Sequence, residues 1–181
     1  MTPRITSGGL REVGPVIRGF GALAGRVMGT EDPQVFLVLG RTKRLFWGWL
    51  LFAGGLMPGG TLPRRETELV ILRVAALTGC DYERSHHERL GRRVGLTSAD
   101  LAAVVAGPSD PHWSDRERTI LAAVDELHEK RDLSDATWTA LRDELDERRT
   151  VEFLLLVGHY EMLATTLMTL RVEPDPPRRR R

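Results

Sequence analysis

The stretch from Glu66 to Leu77 reads E-T-E-L-V-I-L-R-V-A-A-L, with apolar residues at 69–72 and again at 74–77. A surface helix carries one apolar stripe, and this density leaves no polar face wide enough to meet water, so the helix must be largely buried. The segments available to bury it are themselves helical. Glu31-Asp32-Pro33 reads as a helix start, with an Asp cap and Pro at the first helical position. Leu62-Pro63 opens the buried helix and Thr78-Gly79 ends or kinks it. Helical pattern resumes from Cys80 and stops near Gly95, with Arg89, Arg92 and Arg93 complementing the dipole of its last turns. Thr97 and Asp100 resemble a capping box, and Ser114 and Glu117 fit one fully. Ser134 caps a helix with Trp138, Leu141 and Leu145 on one face. A final helix runs from about Thr150 to about Leu170, its core side formed by Phe153, Leu154, Val157, Met162, Leu163 and Leu167.

Alternation of the β kind does not persist anywhere, and no solenoid period repeats. The expectation is therefore an all-α fold, a compact bundle of about seven or eight helices. The chain has 181 residues, 41% of them hydrophobic, enough for a single domain over 1–181 that buries roughly 70% of its unfolded surface. Residues 1–9 and 174–181 read as loose ends, the latter with three prolines and the run Arg178–Arg181.

Composition removes several function classes. The formal charge is +1, but without Arg178–Arg181 the balance is 22 basic against 25 acidic residues, or −3. Nucleic-acid binding loses its electrostatic footprint. Cys80 is the single cysteine, which excludes an intramolecular disulfide and any Cys-x-x-Cys redox pair. Leu45–Pro63 is uncharged and holds Phe46, Trp47, Trp49 and Phe52. Its compact apolar part, Leu45–Met57, is below the roughly 17–25 residues a membrane span needs. It reads as a buried helix followed by a Gly/Pro turn, and no membrane association is expected. Residues 1–18 lack an apolar stretch of signal-peptide length, so a cytoplasmic location is expected. Neither Gly-x-Gly-x-x-Gly nor a P-loop occurs, and adjacent histidines rarely aim at one ion, so neither a cofactor nor a metal is expected.

The chemistry concentrates in Cys80-Asp81-Tyr82-Glu83-Arg84-Ser85-His86-His87-Glu88. On one continuous helix Cys80, Glu83 and His87 would fall within about 60° of one another. Glu83 and His87, at i and i+4, are close enough for a carboxylate–imidazole couple that relays protons. Glu68 lies twelve residues before Cys80, and an antiparallel helix pair could bring it to the same pocket. Each residue also has a plainer reading. Cys80 fits a packed apolar position, Glu83 and His87 a solvated ion pair, and Glu68 a first-turn dipole partner or a salt bridge to Arg65, Arg73 or another arginine. His86 fits a structural neighbour turned about 100° from His87, and His159 a core histidine.

The run Glu68-x11-Cys80-x2-Glu83-x3-His87, with Tyr82-Glu83 and the double His86-His87, resembles the carboxymuconolactone decarboxylase / alkylhydroperoxidase D superfamily. The resemblance is strong from Glu68 to about Leu101. In the peroxidase branch the pattern is Glu, then Cys-x-x-Cys, then His; here Glu83 stands where the second, peroxide-attacking cysteine would be. The Tyr-Glu-x-x-x-His form is similar to the decarboxylase-like branch. That implies cofactor-free lyase chemistry, decarboxylation or isomerisation of a small carboxylated lactone-like substrate, of the kind used in aromatic compound catabolism. Catalytic roles then fall to Glu68, Cys80, Glu83 and His87, and substrate contacts to Tyr82, Arg84, His86 and His159, with Arg73 a further anion partner. It also implies a homo-oligomer with the pocket near a subunit interface. Two alternatives stay open: a thiol-dependent hydroperoxide reductase (peroxiredoxin activity) using Cys80, and a non-catalytic small-molecule-binding or interaction protein.

Overall fold

The computed structural model describes residues 2–176, so the Arg178–Arg181 run lies outside the described residues. Within them the chain forms nine α-helices, one short 3-10 turn and no β-sheet. In chain order they are α1 (Leu10–Met28), α2 (Gln34–Leu39), α3 (Arg44–Leu56), α4 (Arg64–Thr78), α5 (Asp81–Arg93), α6 (Ser98–Ala106), α7 (Asp115–Lys130), α8 (Asp135–Glu144) and α9 (Glu147–Leu170).

α4 is the axis of the bundle. Every residue from Glu66 to Ala75 is buried, and the helix packs against α5, α6, α7 and α9. Its apolar side chains divide between two cores. Val70, Ile71 and Val74 join Phe153, Leu156 and Leu167 of α9, while Leu69 and Leu72 meet Leu96, Val104, Trp113 and Leu121. A helix enclosed on all sides must also pair its charges, because an unpaired buried ion costs several kcal/mol. Glu66 accepts from Arg116 at 2.7 and 3.0 Å, and Arg73 forks onto Asp125 at 2.6 and 2.7 Å.

The helix boundaries follow the caps. Thr97 and Ser114 each close a full capping box, and Ser134 and Asp146 cap α8 and α9. Gly79, at φ +71°, takes the left-handed position that ends α4, a conformation glycine adopts without strain. The first proline start is shifted by one residue from expectation, while Leu62-Pro63 opens α4 as expected. Pro33 and Pro63 sit in the cap position with extended backbone, and Asp32 pairs with Arg18 at 2.6 Å instead of capping. Cys80 is likewise the N-cap of α5 and not its first residue.

Three expectations about burial need correction. α3 is not a buried helix: Phe46 and Leu56 are buried, but Leu45, Trp47, Leu51 and Phe52 are exposed. Met162 and Trp138 are also exposed, because the inner faces of their helices are completed by Leu156, Tyr160 and Ala164 on α9 and by Leu141 on α8. The ends are tied down further than their composition suggests. Arg4 N donates to Leu170 O and Gly8 N to Leu37 O, and Asp175 is buried. α9 is long and apolar enough to cross a membrane by length and composition, yet it supplies Phe153, Leu156, Val157, Leu163 and Leu167 to the core.

Candidate active site

The turn from α3 into α4 sets the first wall of the site. Glu152 of α9 accepts from Thr61 N, Leu62 N and Thr61 Oγ1 at 2.7–3.0 Å. A Cβ at Gly60 would lie 2.4 Å from Glu152 Oε1 and 2.5 Å from Leu56 O, so only glycine fits there. The turn delivers Arg64, first residue of α4, and Glu68 one turn later. From Glu68, Oε1 accepts from Arg64 Nη2 at 2.8 Å and Oε2 accepts from His87 Nδ1 at 2.7 Å. On the other side of the ring, His87 Nε2 lies 3.4 Å from Glu83 Oε2. The order Arg64–Glu68–His87–Glu83 thus alternates in charge across the α4–α5 interface. Glu68, Glu83 and His87 are all buried.

Burial alone would disfavour the imidazolium. The hydrogen bonds and charges of Glu68 and Glu83 overcome it and raise the pKa of His87 to about 9, since each carboxylate favours the charged ring. Tyr160, edge-on to the His87 ring at 5.1 Å, is held as the neutral phenol by its burial.

This relay opens onto a cavity of about 520 Å³. Its polar lining is Arg64, Tyr82, Glu83, His86, His87 and Tyr160; the rest is apolar, with Phe20, Phe36 and Trp49 supplying aromatic faces. Tyr82 and His86 do not point free groups at it. The Tyr82 hydroxyl donates to Asp175 Oδ2 at 2.6 Å and accepts from Val35 N at 3.1 Å, and His86 Nε2 donates to the same Asp175 oxygen at 2.7 Å. His86 therefore lines the cavity as a fixed wall, though its rotation from His87 suggested otherwise.

Four expected site residues lie elsewhere. Cys80, as cap, leaves the helical register that would align it with Glu83 and His87. It borders a separate cavity of about 290 Å³ with Gly79, Leu167 and Val172, and burial pushes its thiol up to about 11. Arg84 is exposed and pairs with Asp81 at 2.5 Å. Arg73 is taken up by Asp125 and the carbonyls of Val104 and Val105. His159 stacks behind Trp49, centroids 6.2 Å apart, where burial lowers its pKa to about 4. Arg64, Trp49, Tyr160 and Asp175 are site residues that sequence reasoning missed. Only Arg64 left a signal, its i, i+4 spacing to Glu68. Among the described residues no group of three or more His, Cys, Asp or Glu side chains could hold a metal ion.

Residues 43–126 match the carboxymuconolactone decarboxylase family. No curated protein matches the sequence significantly. Among solved structures, one similar fold is the alkylhydroperoxidase AhpD core of an uncharacterized peroxidase-related protein from Ralstonia eutropha JMP134. Its TM-score is 0.83 at 18% identity, covering 95% of this chain and 92% of that one. An uncharacterized peroxidase-related protein from Silicibacter sp. TM1040 gives 0.78 at 15% identity, over 96% and 94%. The debrominase Bmp8 with 2,3,4-tribromopyrrole gives 0.79 at 14%, over 95% and 93%. These likenesses establish the fold. The matched segment, under half of the chain, contains Arg64, Glu68, Glu83 and His87, so the site lies in the region similar to that family, on a fold shared with the AhpD-like structures.

Proposed function

We propose that this chain is a cofactor-free acid–base enzyme that decarboxylates or isomerises a small carboxylated, lactone-like substrate. One observation carries the reading: a buried imidazole is engaged at both nitrogens by carboxylates, and it forms part of the cavity wall together with Glu83. Glu68 fixes the Nδ1–H tautomer and orients the ring, leaving Nε2 toward Glu83. Loss of CO2 from a lactone carboxylate leaves an extended enolate. That enolate takes a proton at carbon from the His87 imidazolium, directly or through Glu83, and a solvent proton restores the imidazolium after release. In an isomerisation, Glu83 removes the proton and the same pair returns it at the new carbon. The thiol-peroxidase alternative finds no support in the geometry: a nucleophilic cysteine needs a lowered pKa, and Cys80 is buried, raised and outside this cavity.

The test is turnover on a panel of carboxylated lactones, followed by CO2 release and ultraviolet absorbance. Glu83→Gln and His87→Ala should each lower kcat by about 10²–10⁴-fold, the usual contribution of a general acid–base group, with helical content kept. Wild-type rates in either variant would remove the pair from the mechanism.

A further inference from the structure

Two residues of the cavity wall each carry a hydrogen-bond donor that the fold leaves unmet. Arg64 Nη1 and Trp49 Nε1 are both buried and have no partner among the described residues, and both residues line the cavity. Neither group can accept a hydrogen bond, and a buried donor without an acceptor carries the full cost of its desolvation. Arg64 already gives Nη2 to Glu68, so Glu68 Oε1 anchors the guanidinium and leaves Nη1 for another acceptor. Around these donors the lining is aromatic and aliphatic, from Phe20, Phe36, Leu50, Ala53, Met57 and Leu163. A compact, heavily oxygenated ring would leave most of that wall uncovered. A flat apolar body with one acidic end would cover it and meet the donors.

We infer that Arg64 and Trp49 are specificity-determining residues, and that the cavity takes a monocarboxylate carried on an aromatic or similarly apolar ring. On binding, the Arg64 and Trp49 side chains turn so that the carboxylate accepts from Nη1 and Nε1, and the ring lies against Phe20 and Phe36. This rests on the cavity being the substrate site; it keeps the single carboxylate of the reading above and puts a largely apolar ring in place of the lactone. The volume of about 520 Å³ lies in the range of small-molecule pockets, roughly 300–1,000 Å³. The charge pattern agrees: Arg64 is the cation at the open end of the Arg64–Glu68–His87–Glu83 series, so an anion placed there extends the alternation.

Equilibrium binding tests this without turnover, and so separately from the acid–base reading. Calorimetric titration of the full chain at pH 7.5 would use 2-naphthoate and its uncharged isostere 2-naphthamide. The acid should bind one to one and at least about tenfold more tightly than the amide, as loss of one charge-assisted hydrogen bond implies. Arg64→Gln should abolish that preference while the amide binds as before, and Arg64→Lys should keep part of it. Trp49→Phe keeps the aromatic wall and removes the donor, so both ligands should weaken several-fold. Equal affinities in the wild type would overturn the inference, as would no saturation by either ligand at millimolar concentration or a preference that survives Arg64→Gln. The wild-type comparison stands even if a variant fails to fold. Acid-selective binding with unchanged rates in Glu83→Gln would sink the enzyme reading and keep this one.

Discussion

His87 Nδ1 lies 2.7 Å from Glu68 Oε2, a contact that joins the most enclosed helix of the bundle to the helix that faces the cavity. Glu68 is fully buried and its second oxygen is held by Arg64. The pair therefore acts as a rigid seam between α4 and α5, and the charge on His87 becomes part of what holds the two helices together.

That coupling has a pH signature. The folded-state pKa of His87 is about 9, above the roughly 6.5 of an unfolded histidine. The stabilisation is thus fully present below about pH 6.5 and is lost as pH rises through 9. Urea midpoints should fall between pH 7 and pH 10 by more in the wild type than in His87→Gln. Parallel curves for the two proteins would show that the histidine gains nothing from its carboxylates.

Cys80 should behave as packing. Its burial and its raised thiol, about 11, predict slow reaction with thiol reagents in the native protein and prompt reaction in denaturant. Cys80→Ser should retain turnover, because position 80 borders the smaller cavity and not the relay. Fast native labelling, or loss of activity in that variant, would contradict the assignment.

Asp175 should matter for stability although it stands close to the end of the chain. Its two oxygens accept from Tyr82, His86 and Gln34 N. Asp175→Ala would leave Tyr82 and His86 buried without this acceptor and free the part-buried Gln34 N, a loss of about 3 kcal/mol. Denaturant unfolding measures it, and a change under about 1 kcal/mol would mean that the segment around Asp175 is not held as the hydrogen bonds indicate.

The outer face of α3 carries the oligomer expectation. Leu51 is 81% and Leu45 69% exposed, and Trp47 and Phe52 on the same helix are exposed as well, an apolar load of the kind that marks an interaction surface. Light scattering at micromolar concentration should give a multiple of the 20.3 kDa chain mass, and Leu51→Glu should return it to the monomer. A monomeric wild type would refute the assembly.

Much of this architecture was legible in the sequence because local rules dictated it. The apolar density of 69–77 required a buried helix, and Thr97, Ser114 and Ser134 cap where their side chains can reach the next turn's amides. The Glu83–His87 pair was legible because i, i+4 spacing puts two side chains on one face regardless of tertiary structure. Other features depend on contacts between distant segments. Asp175 meets His86 across 89 residues, and nothing in a proline-rich end announces a buried carboxylate. Cys80 was misplaced because a cap residue leaves the helical angle series, and hydrophobic periodicity does not resolve that boundary. Arg73 and Arg84 were equally plausible anion partners until their own carboxylates were located, which left Arg64.

The central claim is that His87 sits protonated between two carboxylates as the proton store of the site. A 15N–1H NMR titration of its imidazole, assigned by comparison with His87→Gln, reads this directly. The account predicts a midpoint near pH 9 in the wild type, in keeping with the pKa of about 9, and a lower midpoint when Glu68 is replaced by Gln. A midpoint at or below about 6.5, the value of an unperturbed histidine, or one unmoved by Glu68→Gln, would contradict it.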